Sequence, residues 1–154
     1  MTPRLASPAK AAPEAYQAML DLEQTIAAGG LEHSLLELVK IRVSQINGCA
    51  YCLHMHAADA RKAGESEVRL HLLAAWRESS LFSPRERAAL TWAESLTRIE
   101  QTQASDADYA VLEAQFTETE QVNLTFAIGA INVWNRLAVG FRSAHPAGPA
   151  RVAA

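Results

Sequence analysis

An Asn47-Gly48 pair stands between two stretches that each read as a helix, and this hinge constrains the fold more than any other feature of the chain. Before it, Leu35, Leu36, Leu38, Val39, Ile41, Val43 and Ile46 predict an apolar helix over about 35–46, with Glu37, Lys40 and Ser44 as its polar line. Asn and Gly both tolerate the left-handed backbone that ends a helix. Behind them an alanine-rich run over about 49–63, closed by Gly64, reads as a second helix packed antiparallel to the first. The chain's only two cysteines, Cys49 and Cys52, open that second helix as C-x-x-C, and His56 follows four residues later. At 3.6 residues per turn, positions 49, 52 and 56 share one stripe, so two sulfurs and an imidazole face the same way. Cys49 falls in the first turn, where free backbone N–H groups and the helix dipole favour a thiolate.

The rest of the chain adds helices and nothing else. Pro13 suits a first helical position, and Gly29-Gly30 stops the helix it begins, with Tyr16, Met19, Leu20, Ile26 and Ala27 on its apolar face. A helix over about 66–76 turns Val68, Leu72, Leu73 and Trp76 inward. Ser83-Pro84-Arg85-Glu86 is a capping box that starts a helix to about Thr102, and Thr117-Glu118-Thr119-Glu120 is a second that opens the longest helix, to about Ser143. Ser105 caps a shorter helix between them. Trp76 and Trp92 read as core aromatics, and His54 points away from the cysteine stripe as a surface histidine. The long last helix is apolar almost all round, so it is central or covered by another subunit. Asn123, Asn132, Asn135 and Arg136 interrupt it and argue against a membrane span. No alternating strand pattern or repeat appears. The expected architecture is all-α, with about seven helices in one domain over 1–154 and flexible ends at 1–12 and 145–154.

Composition narrows the function classes. A formal charge of −3 offers no attraction to nucleic acid or to an anionic membrane. The first residues lack an apolar signal region, which makes the cytoplasm the default location. There, two closely spaced cysteines point to redox or metal chemistry rather than to a structural staple.

The pattern E-x11-C-x-x-C-x3-H, with Gly48 before the first cysteine and Gly64 after the helix, resembles the core motif of the AhpD-like alkylhydroperoxidases of the carboxymuconolactone decarboxylase superfamily. The resemblance covers about residues 35–65. It implies a thiol-dependent peroxidase or disulfide reductase that cycles Cys49 and Cys52 between dithiol and disulfide. It also implies a helical homo-oligomer, trimeric or hexameric, with no bound metal or flavin. The substrates it implies are a hydroperoxide and a dithiol reductant borne by a lipoyl or thioredoxin-like protein. Catalysis would rest on Cys52, Cys49, His56 and Glu37, with Cys52 attacking peroxide and Cys49 resolving.

The residues themselves leave rivals beside each of these roles. The dipole favours Cys49 as the reactive thiolate, whereas a base one turn away favours Cys52. Glu37 serves His56, or it completes a capping box with Ser34. Tyr51 stands between the cysteines where the AhpD type has His, which bears on proton transfer. Asn132, Trp134, Asn135 and Arg136 resemble a polar–aromatic run of the family's last helix, and as interhelical hydrogen-bonding groups they fall outside the expected site. A zinc-binding module using Cys49, Cys52, His56 and Glu37, a non-enzymatic redox sensor, and the superfamily's decarboxylase chemistry are the alternative functions.

Overall fold

Helices carry residues 2–146, the part of the chain described in this computed structural model, with no strand among the described residues. They run α1 (Pro8–Ala11), α2 (Pro13–Ala27), α3 (His33–Asn47), α4 (Ala50–Lys62), α5 (Glu67–Leu72), a 3-10 segment (Leu73–Glu78), α6 (Pro84–Thr97), α7 (Ile99–Thr102), α8 (Asp106–Glu113) and α9 (Glu118–Phe141). The all-α class stands. The count rises above seven because two expected helices are broken and the N-terminal arm contains a short one.

Both breaks have physical causes outside the local pattern. The Ser95 carbonyl accepts the Thr102 hydroxyl at 2.7 Å, and Arg98 leaves helical geometry at φ −111°, ψ 37°, which divides α6 from α7. At Ala75 (φ −115°, ψ 28°) the chain kinks so that Trp76 is buried and its Nε1 donates to Glu94 at 2.9 Å. The kink also corrects the expected inward face. Leu70, Leu73 and Trp76 enter the core, while Val68 and Leu72 stay exposed. Helix starts follow local chemistry more closely. Ser83 with Glu86, and Thr117 with Glu120, form both reciprocal halves of their capping boxes.

α3 is the central helix, and α4, α6 and α9 pack around it. Its Leu38, Val39 and Val43 are completely buried, each stabilising the fold by about 1.5–3 kcal/mol. Val39 and Val43 join Leu124, Ile128 and Ile131 in the larger core cluster, while Leu38 and Ile41 join Leu73, Trp76 and Leu90 in the other. Each member of its polar line has a partner from a different helix. Glu37 meets His56 of α4, Lys40 meets Glu23 of α2 at 2.7 Å, and Ser44 accepts from Asn135 of α9 at 3.0 Å.

α9 has the length and apolar character of a span, but it is a core helix that packs on α2, α3 and α6. One face is open, with Val122, Phe126 and Val133 exposed. At the other end of the chain, Arg4 clips the N-terminal arm to the last turn of α9. Its backbone N–H donates to the Phe141 carbonyl and its guanidinium to the Gly140 carbonyl, each at 2.9 Å. The expected flexible tail lies, from residue 147 onward, outside the described residues.

Candidate active site

Gly48 makes the site. Its left-handed backbone (φ 66°, ψ 33°), which glycine adopts at no steric cost, ends α3 and lets α4 begin at once alongside. Cys49 is the N-cap of α4 rather than a residue of its first turn. Its sulfur accepts the Cys52 backbone N–H at 3.4 Å, the role a Ser or Asp oxygen usually fills. Both cysteines are unbridged and buried, Cys49 completely and Cys52 with 2% of its surface exposed.

His56 lies further along α4, and its Nδ1 stands 2.9 Å from Glu37 Oε2, with both side chains buried. The carboxylate selects the tautomer that donates from Nδ1 and leaves Nε2 as the ring's accepting atom. Ser34 lies inside α3 and Glu32 occupies the N-cap position without a side-chain cap, so Glu37 takes no part in capping here. No hydrogen bond joins His56 to either sulfur among the described residues. Nor does any group of three or more His, Cys, Asp and Glu among them stand close enough to share a metal ion.

The two thiols titrate as a pair. The Cys52 thiol donates to the Cys49 sulfur, and this is the main reason that Cys49 is held at about 6, far below an ordinary thiol. Burial opposes the shift, while the Cys52 backbone N–H, the Asn135 side chain and the Tyr51 backbone N–H add to it. Cys52 is pushed strongly upward because it is that donor, because it is buried, and because the Cys49 charge lies beside it. The resting charge therefore belongs on Cys49. Access points the other way.

A cavity of about 410 Å³ opens against Cys52 and His56, and Cys49 is not part of its wall. Tyr16 and Leu20 of α2, Tyr51 and Met55 of α4, and Trp134 and Leu137 of α9 make it mostly apolar. Residues Ala6 to Ala9 of the arm close one side. Glu23 is its one carboxylate among the described residues, already engaged by Lys40 and by Trp134 Nε1 at 3.0 Å. His54 is exposed and stacks on His145, with ring centroids 5.5 Å apart.

Sequence reasoning set Asn135 aside, yet it is 1% exposed, it bonds the Ser44 whose carbonyl holds the Cys49 N–H, and its side chain acts to lower the pKa of both thiols. Asn47, read only as a helix stop, donates to Asn135 Oδ1 at 2.9 Å. The available signal was two asparagines three apart on an apolar helix, because a buried amide requires partners.

A family model described as the carboxymuconolactone decarboxylase family matches residues 13–95, a span that contains Glu37, both cysteines and His56. The uncharacterised Bacillus subtilis protein YdfG is 42% identical over 128 residues, covering 83% of this chain and 87% of YdfG. Among solved structures, an Agrobacterium tumefaciens protein of unknown function, described as a candidate antioxidant-defence protein AhpD, has a TM-score of 0.91 at 46% identity. That match covers 96% of this chain and 100% of the other. An uncharacterised peroxidase-related protein from a Silicibacter species has a TM-score of 0.75 at 26% identity, covering 85% of this chain and 70% of its own. Motif, helical architecture and these matches agree: the chain is an AhpD-like member of the carboxymuconolactone decarboxylase family.

Proposed function

We propose that the protein is a thiol peroxidase that reduces organic hydroperoxides through Cys49 and Cys52. The observation that carries this reading is a pair of free, buried thiols of which Cys52 meets the wall of an apolar cavity. A hydroperoxide that enters the cavity meets Cys52. The Cys52 proton passes to the Cys49 thiolate along the hydrogen bond that already joins them, which leaves charge on the accessible sulfur. That sulfur attacks the distal oxygen, an S–O bond forms, the O–O bond breaks, and the alkoxide leaves as alcohol after taking a proton. His56 lies on the cavity wall with Nδ1 on Glu37, so its Nε2 can take up a proton from solvent and pass it to the alkoxide. Cys49, ionised again at neutral pH, attacks the sulfenic acid, so the S–S bond forms and hydroxide leaves as water.

The same arrangement serves the reductive half. An external dithiol reaching down the cavity attacks Cys52, the sulfur on its wall, and releases Cys49, whose low pKa makes it the better leaving group. Sulfurs this deeply buried favour a slender dithiol on an arm, such as a lipoyl group, over a globular thioredoxin-like donor. A cytoplasmic location, where thiols are kept reduced, suits the cycle.

Thiol counting before and after one equivalent of cumene hydroperoxide, with turnover under dihydrolipoamide, tests the activity. Loss of two thiols and catalytic alcohol release are expected; an unchanged count sinks the proposal. Cys49→Ser should stop at a trappable sulfenic acid on Cys52. If Cys52→Ser traps it on Cys49 at the faster rate, the roles are reversed.

A further inference from the structure

We propose that Asn135 is a positioning residue for the dithiol, its amide N–H turned toward the sulfurs by a chain of side-chain amides that starts at the surface with Arg136. The proposal rests on the dithiol being the reactive centre, but not on peroxide being its substrate.

A buried amide has two faces of opposite polarity, and only one of them stabilises an anion. Here the direction is dictated step by step. A guanidinium has donors only, and the Arg136 Nη1 lies 2.9 Å from Asn132 Oδ1, so Asn132 presents its oxygen there. Its Nδ2 is independently fixed, donating to the Ile128 carbonyl at 2.9 Å and to Thr97 Oγ1 at 3.2 Å. Asn47 must then offer its nitrogen to Asn132 Oδ1, at 2.9 Å, and the second hydrogen of that nitrogen reaches Asn135 Oδ1, also at 2.9 Å. With its oxygen taken from that side, Asn135 turns Nδ2 the other way. One hydrogen goes to Ser44 Oγ at 3.0 Å, on the residue whose carbonyl accepts the Cys49 N–H at 3.0 Å, and the other faces the dithiol, where the same side chain acts to lower the pKa of both thiols.

Burial makes this orientation consequential. Asn135 is 1% exposed, Cys49 and Ser44 are fully buried, and a hydrogen bond to a charged group is worth more there than in water. The titratable groups around the pair are few. His56 and Tyr51 share its helix, Glu37 approaches from α3, and Glu23 of α2 lies on the cavity wall, where Lys40 neutralises it. α9 contributes Arg136, whose guanidinium is exposed and bound to Asn132.

Asn47→Ala tests the chain without touching the sulfurs and without adding a charge. The rate of alkylation by iodoacetamide, followed from pH 4.5 to 9 on the full reduced protein, should show its midpoint moved upward by about one unit. Asn135→Asp, which replaces the donor by a carboxylate of the same shape, should move it further. A purely interhelical role for these amides predicts a lower melting temperature with the midpoint unchanged, and that result overturns the proposal. Should either variant fail to fold, the wild-type protein still decides. The Asn135 side-chain N–H resonances should shift with the same midpoint as thiol alkylation, and resonances indifferent to that titration would equally overturn it.

Discussion

Exchanging Glu37 for Gln keeps the shape beside His56 but removes the charge that steadies an imidazolium. Because one hydrogen bond survives, stability should fall by only about 1 kcal/mol. Peroxide consumption should slow by roughly tenfold to a hundredfold if His56 moves protons during turnover. A stopped-flow trace with unchanged rate and a large loss of melting temperature would instead make the pair structural. The dithiol itself should impose a pH signature on stability. Cys49 ionises at about 6 in the folded protein against 9.0 for an unperturbed thiol. Its contribution is therefore fully present above pH 9, shrinks below it, and is lost as pH falls through about 6. Cys52, shifted upward, has the opposite sign: its contribution is present below the unfolded value and lost as pH rises beyond it. Urea unfolding of the reduced protein should show stability from this source rising between pH 6 and 9, and the rise should vanish in Cys49→Ser. A rise of equal size in that variant would assign it to other groups.

Among the elements, the N-terminal arm has the most slender attachment. α1 has four residues and none buried, and Arg4 supplies two hydrogen bonds between the arm and α9. Since Ala6 to Ala9 form one side of the cavity, Arg4→Ala should let the arm open more often. Alkylation of Cys52 by a bulky maleimide should quicken several-fold, with little change in melting temperature; identical rates would show that entry lies elsewhere. How legible each element was in the sequence follows the range of the forces that shape it. The starts of α6 and α9 were readable because a capping box is a four-residue device. So was the α3–α4 turn, because Gly48 carries it alone. The Arg98 break was not, since it depends on a hydroxyl seven residues from the carbonyl it satisfies. Nor was the kink at Ala75, which follows from tertiary anchoring of Trp76 by Glu94. At the site, the spacing of Glu37, Cys49, Cys52 and His56 was visible, but Asn135 lies 86 positions beyond Cys49 and was joined to it only by folding.

For the molecule as a whole, the open face of α9 is the strongest pointer to self-association. Val122, Phe126 and Val133 stand along one side of the helix, each at least 40% exposed, a surface that a lone protomer leaves wet. Sedimentation at micromolar concentration should give a homo-oligomer, and Phe126→Glu should shift it toward monomer. A monomeric wild type would refute the reading. The Asn47-Gly48 turn also bears on how the molecule ages. In a loose chain an Asn-Gly bond deamidates readily, because the glycine nitrogen swings onto the asparagine amide carbon and closes a succinimide. Folded, the Asn47 amide is tied at both hydrogens, and the Gly48 N–H is directed to the Gln45 carbonyl. Native protein should therefore keep Asn47 through long storage, whereas protein held unfolded should gain aspartate there, as peptide mapping by mass would record. Refolded after such damage, a chain would carry an acceptor where its amide relay needs a donor, so the wear left by past unfolding would be written beside its dithiol.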